Sequence, residues 1–434
     1  VPRGFTGFRL KVLQVAGGTA LAQGLLVLAS PVLTRLYTPA DFGVLVVYVS
    51  LVSLSVTVAS LRFELALPLP PDETEAAALL LLCVGLVMGS TALGAFGLHL
   101  FRHRILGWMG EPGLGPYLWL VPVSTLGAGL YQVFNCWAIR KERYDSIART
   151  RVTQSLTQLA VQLATGPFGL GPAGLLAGDA LGRTNGTRTL ALLDWRRDWV
   201  SLRRVGWRDL ARAARRYRSF PLFSSGTALL NTANLRMPGL LLAIYYGPAV
   251  AGCFALAQRV FAVPSSIIGE SVAQVFFGES AQVGQGRSLM PLFLGTVRRM
   301  FLLGLPLMGA SSLAGWFLFP VLFGAAWKSA GGFLVAIAPM ALAQFTGACV
   351  SSALVVLERQ DLALVREVVR SLLFFGGIAA AWLLSWDAQR AVLLFGLTGT
   401  LSYGVYGWIT WYAIRTRDAR SRDAHGRDAQ EAAR

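Results

Sequence analysis

Charge is scarce in this chain, and negative charge scarcer still. Of 434 residues only 14% are Asp, Glu, Lys or Arg, and 22 acidic side chains face 39 basic ones. A soluble protein of this length carries more charge and shorter apolar runs. Cysteine is nearly absent: Cys83, Cys136, Cys253 and Cys349 all sit inside apolar runs, where they read as small packing residues rather than disulfide or metal partners. His99, His103 and His425 are scattered and form no ligand set. The chain also lacks a phosphate-cradling Gly-rich loop with Lys and Ser/Thr, zinc-ligand spacing and a nucleophile elbow. No loop is long enough for a soluble catalytic domain. These absences exclude an ATP-hydrolysing pump, unless a separate subunit supplies the ATPase, and point to a protein that is not an enzyme and has no cofactor.

What remains is apolar and basic: 54% hydrophobic residues with a net charge of +17. A basic balance can signal nucleic acid. Here the cations gather in no domain but fall in short gaps between apolar runs, so no nucleic-acid partner is expected. A hydrocarbon core of roughly 30 Å takes about 20 helical residues. Twelve runs of that order occur, at 10–33, 42–67, 76–98, 117–139, 147–164, 169–192, 220–245, 249–277, 292–318, 331–356, 365–384 and 391–414. The first is of spanning length, so no cleavable signal peptide is expected. With the N-terminus inside, the inner segments hold 32 of the 39 Lys and Arg; Arg35, Arg102, Arg104, Lys328 and Arg390 fall outside, and Arg236 and Arg259 within spans. That bias sets both termini in the cytoplasm.

Two short motifs recur. Tyr37-Thr38-Pro39-Ala40-Asp41-Phe42-Gly43 joins spans one and two, and Tyr246-Gly247-Pro248-Ala249-Val250-Ala251-Gly252 joins spans seven and eight. Glu142-Arg143-Tyr144-Asp145 follows span four, and Glu358-Arg359-Gln360-Asp361 follows span ten. A duplicated six-span unit accounts for both pairs, its halves related by an axis along the membrane normal. The expected fold is an all-α polytopic membrane protein: an N-lobe at 10–192, a basic cytoplasmic linker at 193–219, a C-lobe at 220–414 and a disordered cytoplasmic tail at 415–434, with the lobes around a central polar cavity.

Polar residues inside the spans are the functional candidates. If span eight starts near Ala249, Arg259 lies about 15 Å deep, where a charge costs at least ~2.5 kcal/mol and so faces a wet cavity. A guanidinium there can fork onto phosphate oxygens; the alternative is a structural arginine capped by a neighbouring helix. Arg236, beside Pro238 and nearer the outer end of its span, either serves the cavity or snorkels to the interface. Arg62 and Glu64, two residues apart at the inner end of span two, face different sides of a regular helix and form no obvious ion pair. Arg62 can meet a headgroup at the cavity mouth, with Arg35 as its outer counterpart. Asn231 and Asn234 bind sugar hydroxyls or hydrogen-bond between helices.

Asp179 and Arg183 are four apart and can pair along span six. Asp179, Glu270 and Glu64 are the carboxylates available to couple transport to H+ or Na+. Gln154, Gln158 and Gln162 form one stripe and Thr19, Gln23 and Ser30 another, each suited to a cavity wall, while Gly174, Gly178 and Gly182 allow close helix approach. In the linker, Arg204, Arg208, Arg212 and Arg215 share a helical face from which Trp207, Leu210 and Ala214 point away. Such a helix suits an anionic leaflet surface, or is simply a basic linker.

Leu33-Thr34-Arg35-Leu36-Tyr37-Thr38-Pro39-Ala40-Asp41-Phe42-Gly43 and Leu61-Arg62-Phe63-Glu64-Leu65-Ala66 resemble the opening of Wzx-type O-antigen and polysaccharide flippases of the multidrug/oligosaccharidyl-lipid/polysaccharide exporter superfamily. Tyr246-Gly247-Pro248-Ala249, Ala257-Gln258-Arg259-Val260 and Gln274-Val275-Phe276-Phe277 resemble their second half. The resemblance spans most of the chain except the linker and tail. It implies a V-shaped bundle of 6+6 helices in the bacterial inner membrane. It also implies that a polyprenyl (undecaprenyl) pyrophosphate-linked oligosaccharide is flipped to the periplasmic leaflet by alternating access, driven by an ion gradient and alongside polysaccharide-assembly proteins of lipopolysaccharide biosynthesis. On that reading Arg259, Arg62, Arg236 and Arg35 meet the pyrophosphate, and Asn231 and Asn234 the sugar. The rival readings are a drug/cation antiporter of the same superfamily, whose cavity should be acidic, and a membrane-embedded polysaccharide polymerase or glycosyltransferase, which would need a larger outer loop.

Overall fold

The computed structural model describes residues 17–109, 112–192, 202–269, 272–273, 275–276, 279–280, 288–357 and 359–432. Every regular element among them is helical. The chain divides into two compact units, Val1–Ala255 and Leu256–Arg434. In the first, α1 (Gly17–Leu28) and α2 (Ser30–Leu36) meet at a 40° bend. There follow α3 (Pro39–Ala59), α4 (Glu73–Leu100), the short α5 (Arg102–Met109), α6 (Leu120–Arg140), α7 (Tyr144–Thr165), α8 (Pro172–Thr184) and α9 (Thr187–Ala191). The linker helix α10 (Trp207–Arg216) precedes α11 (Ser225–Tyr246), and α12 (Pro248–Pro264) passes into the second unit. That unit holds α13 (Met290–Phe323), α14 (Lys328–Cys349), α15 (Ala353–Val356), α16 (Gln360–Leu383) and α17 (Ala388–Ala432).

Five of these helices are long and apolar enough to cross a membrane, or six if the bent α1–α2 pair is one span. The other expected spans fall on helices that do not meet that measure. The reason is visible in α7, which carries Arg149, Arg151 and three glutamines. Large apolar side chains are exposed along the candidate spans, for example Leu93 and Phe96 on α4 and Phe317 and Val321 on α13, as a surface solvated by lipid requires. Within the segment 415–434, α17 runs on as far as Ala432. Asp418 and Arg422, then Asp423 and Arg427, lie four apart with the carboxylate first, a spacing that favours helix.

The repeated motifs meet. Thr38 caps α3: its hydroxyl accepts from the Asp41 N–H at 3.2 Å while the Asp41 carboxylate accepts from the Thr38 N–H at 2.9 Å. Pro39 occupies the first turn, where its missing N–H costs nothing. Pro248 opens α12 after Gly247, held at φ +90°. The first turns of α3 and α12 then pack backbone against backbone. A Cβ on Gly43 would lie 1.9 Å from the Pro248 carbonyl oxygen, and one on Gly252 2.0 Å from that of Pro39. Each motif's glycine therefore accommodates the other motif's proline carbonyl.

The second motif pair is equally alike. The Arg143 N–H reaches back to the Ala138 carbonyl at 2.9 Å, and the Arg359 N–H to that of Leu354 at 3.0 Å. Their φ, ψ values are −89°, 54° and −97°, 63°.

The glutamine stripe on α7 is not a cavity wall. It faces the glycine ladder of α8: a Cβ on Gly178 would meet Gln162 Cγ at 2.5 Å, and one on Gly182 Gln158 Cβ at 2.8 Å. Gln162 is buried and donates to the Leu175 carbonyl at 3.1 Å, and Gln154 to that of Asn185 at 3.0 Å. Small residues on one helix let amide side chains of the other reach its backbone.

We predict that Gly43→Ala and Gly252→Ala each lower thermal stability by about 1–3 kcal/mol, since the added methyl meets backbone that must move. Gly85→Ala, with open space around its Cβ position, should leave stability unchanged or raised by up to ~1 kcal/mol. Equal melting temperatures for all three variants would remove the close approach from the packing.

Candidate functional site

Four helices of the first unit bring polar side chains together. On α8, Arg183 Nε donates to Asp179 Oδ2 at 2.5 Å, the i,i+4 pair the sequence suggests. Asp179 is buried. Tyr48 on α3 hydrogen-bonds Ser124 on α6 and lies within electrostatic reach of both members of the pair. Arg236 on α11 lies within electrostatic reach of the same two groups. It sits ten residues from the end of α11 at Tyr246, roughly 15 Å along the helix. Two guanidiniums about one carboxylate leave an excess of one positive charge. As a residue Arg236 is exposed, although burial weighs on its guanidinium more than either neighbouring charge does. A charge exposed at mid-helix in an apolar bundle is stable only where water reaches it.

Helix α11 is held on α3 by polar links. Ser50 Oγ donates to the Arg236 carbonyl at 3.4 Å, and Thr57 and Thr232 share a hydrogen bond of 2.9 Å. Val46 lies close to Gly239, one residue after Pro238.

A second cluster closes the other end of α3. The sequence reading of Arg62 and Glu64 as unpaired assumes a regular helix, and the helix does not continue. Leu61 and Arg62 adopt φ of +50° and +62°, and Phe63–Ala66 form a 3-10 turn. That break brings Arg62 Nη1 to 3.3 Å from Glu64 Oε1. Glu64 is fully buried. Its carboxylate also accepts from Gln132 Nε2 at 2.6 Å and from the Ser60 hydroxyl. An isolated buried carboxylate costs several kcal/mol, and three donors offset that cost. Two consecutive left-handed non-glycine residues are strained by about 1 kcal/mol each, strain the ion pair holds in place.

The remaining described candidates lie on α2, α11 and α12. Arg35 is exposed in the last turn of α2, Asn231 is exposed and Asn234 buried on α11. Arg259 is half-buried in α12 and belongs to the second unit. Glu270 and Gln274 lie outside the described residues. The second unit carries a cluster not anticipated from sequence. Arg366 Nη2 and Arg370 Nη2 on α16 lie 2.9 and 2.6 Å from the two oxygens of Glu367, and the Arg366 guanidinium lies 4.6 Å from the Tyr406 ring centroid on α17. The signal was present as three charges within five residues at the start of an apolar run, counted only as inside charge. Gln132, Ser60, Tyr48 and Ser124 were missed because neutral residues stand out only once their partners are known.

Residues 32–331 match the family model described as polysaccharide biosynthesis protein. No curated protein matches the chain in sequence. Among solved structures, the lipid II flippase MurJ in an inward closed conformation is similar with a TM-score of 0.71 at 10% identity, over 94% of this chain and 87% of that one. An inward-facing multidrug resistance MATE family transporter of the MOP superfamily aligns with a TM-score of 0.65 at 15% identity, over 94% and 96%. The Vibrio cholerae MATE transporter VcmN in its bent form gives 0.56 at 15% identity, over 95% and 99%. The chain therefore has the fold these structures share.

Arg62→Ala should destabilise the protein by about 3 kcal/mol by leaving the Glu64 charge uncompensated. Adding Glu64→Gln should recover most of that loss, because the amide keeps partners in Gln132 and Ser60 without a charge. Denaturation of the two single variants and the double variant measures the coupling; strict additivity would mean that the pair contributes nothing.

Proposed function

The chain belongs to the polysaccharide biosynthesis protein family, and from that premise we propose that it is a secondary transporter, turning a lipid-linked oligosaccharide with an anionic, pyrophosphate-type headgroup from the cytoplasmic to the periplasmic leaflet of a bacterial inner membrane. The observation that carries this reading is the Arg183–Asp179–Arg236 cluster, with one guanidinium exposed at mid-helix and one positive charge in excess. Guanidinium forks match phosphate oxygens bidentately. In this scheme Arg236 and Arg259 are each candidates to grip the headgroup, and Arg62 and Arg35 to receive it at the two membrane faces. Asn231 and Asn234 meet sugar hydroxyls, and the polyprenyl chain stays in lipid. An H+ or Na+ gradient supplies the drive, with Asp179, Glu64 and Glu270 as candidate coupling carboxylates.

The solved MATE structures keep a drug/cation antiporter as the competing reading. An excess positive charge at mid-helix argues against it, because a cationic cargo would be repelled.

Deleting the gene should trap lipid-linked glycan on the cytoplasmic side. In complementation, Arg236→Ala and Arg259→Ala should each lower surface polysaccharide by about 10–100-fold, the loss of one charged hydrogen-bonding contact worth ~1.5–3 kcal/mol. Lys at either position should rescue in part. Wild-type glycan with Ala at both positions, the protein being present in the membrane, would overturn the assignment. Export of organic cations that depends on the gene would favour the antiporter.

A further inference from the structure

The linker helix α10 has a docked face and a free one. Ala213 and the adjoining Tyr217 are buried in the core cluster that includes Leu79 and Cys83 of α4, with Leu202 and Val205 packed beside them. The docking is locked electrostatically: Arg216 Nη1 lies 2.8 and 2.9 Å from the two carboxylate oxygens of Glu75, in the first turn of α4. At the helix start the Gly206 N–H donates to Asp209 Oδ2 at 3.0 Å. The linker is therefore fixed to the end of a 28-residue apolar helix, at the level where such a helix leaves the hydrocarbon.

On a helix turning about 100° per residue, Arg208, Arg212 and Arg215 fall within one sector of about 60°, roughly opposite Ala213 and Tyr217. All three are exposed. Arg204, expected to share that helical face, lies instead in the turn before α10, also exposed. Trp207, about 80° round the helix from Arg215 on the side of Leu210 and Ala214, is 82% exposed, the highest value among the described large apolar side chains of the first unit. A row of cations in water needs no indole beside it. An exposed indole and exposed guanidiniums on one short helix, docked at the end of a membrane helix, match a lipid headgroup layer, where the ring sits among glycerol and upper acyl carbons and the cations meet phosphodiesters.

We propose that the Arg208–Arg212–Arg215 face of α10, with Trp207, is a docking surface for anionic phospholipid headgroups, and that its occupancy is felt by α4 through the Arg216–Glu75 clamp. This is independent of what the protein transports. Each arginine near a negative membrane surface strengthens attachment about five-fold.

The test uses the full chain in nanodiscs of phosphatidylcholine alone or mixed with phosphatidylglycerol, reading hydrogen exchange over residues 204–218. Phosphatidylglycerol should slow exchange by at least about ten-fold. High salt should abolish the difference, because screening shortens the reach of surface charge. Arg208→Gln/Arg212→Gln/Arg215→Gln should abolish it at low salt. Trp207→Ala should weaken protection and keep the salt dependence. Equal exchange in the two lipids overturns the proposal. So does a phosphatidylglycerol effect that survives high salt or the triple substitution, which would place the responsive surface elsewhere or assign the face to an acidic protein partner. If the triple variant does not fold, the salt response of the wild-type chain decides.

Discussion

The arrangement of the first unit rests on a contact between two helix backbones. Where the first turn of α3 meets that of α12, neither glycine can carry a side chain, and each lies against the other motif's proline carbonyl. Proline at the start of a helix makes this contact rigid, since φ is fixed and no donor is lost. Once the two first turns are pinned, the register along α3 follows. Ser50 meets the Arg236 carbonyl, Thr57 meets Thr232 and Val46 lies at Gly239. The depth of Arg236 is thus set by a packing contact several turns away.

The parts of this legible in sequence are those with a period or a fixed offset. The two Y-x-P-A-x-x-G segments signal a repeat, and the i,i+4 spacing of Asp179 and Arg183 signals their bond. The glutamine stripe of α7 was legible as a face but not as a destination. Periodicity says which residues share a side and nothing about what that side meets, and here it meets the glycines of α8. The Arg62–Glu64 pair was illegible for a different reason. It depends on two positive-φ residues in a row at Leu61 and Arg62, and neither is a glycine that would announce them. Arg366 and Arg370 were hidden by topology: cations at the inner end of a span are what the positive-inside rule already expects.

Helix α3 thereby links two polar sites of opposite character. Along its length Tyr48 borders a cluster that is net positive and partly open, while just beyond its end Glu64 is sealed among donors that match its one charge. A sealed, balanced carboxylate is a structural anchor until something competes for Arg62. The guanidinium that neutralises Glu64 is 23% exposed, whereas the carboxylate is fully covered. Any anion reaching this corner therefore meets the arginine first.

On the proposed reading, the sign of the open cluster separates the competing substrate classes. One excess positive charge acting at about 6 Å through an effective dielectric constant near 20 contributes about 3 kcal/mol per unit charge on the cargo. That favours an anion and disfavours a cation by the same amount, so the two differ by about 6 kcal/mol, or some four powers of ten in occupancy.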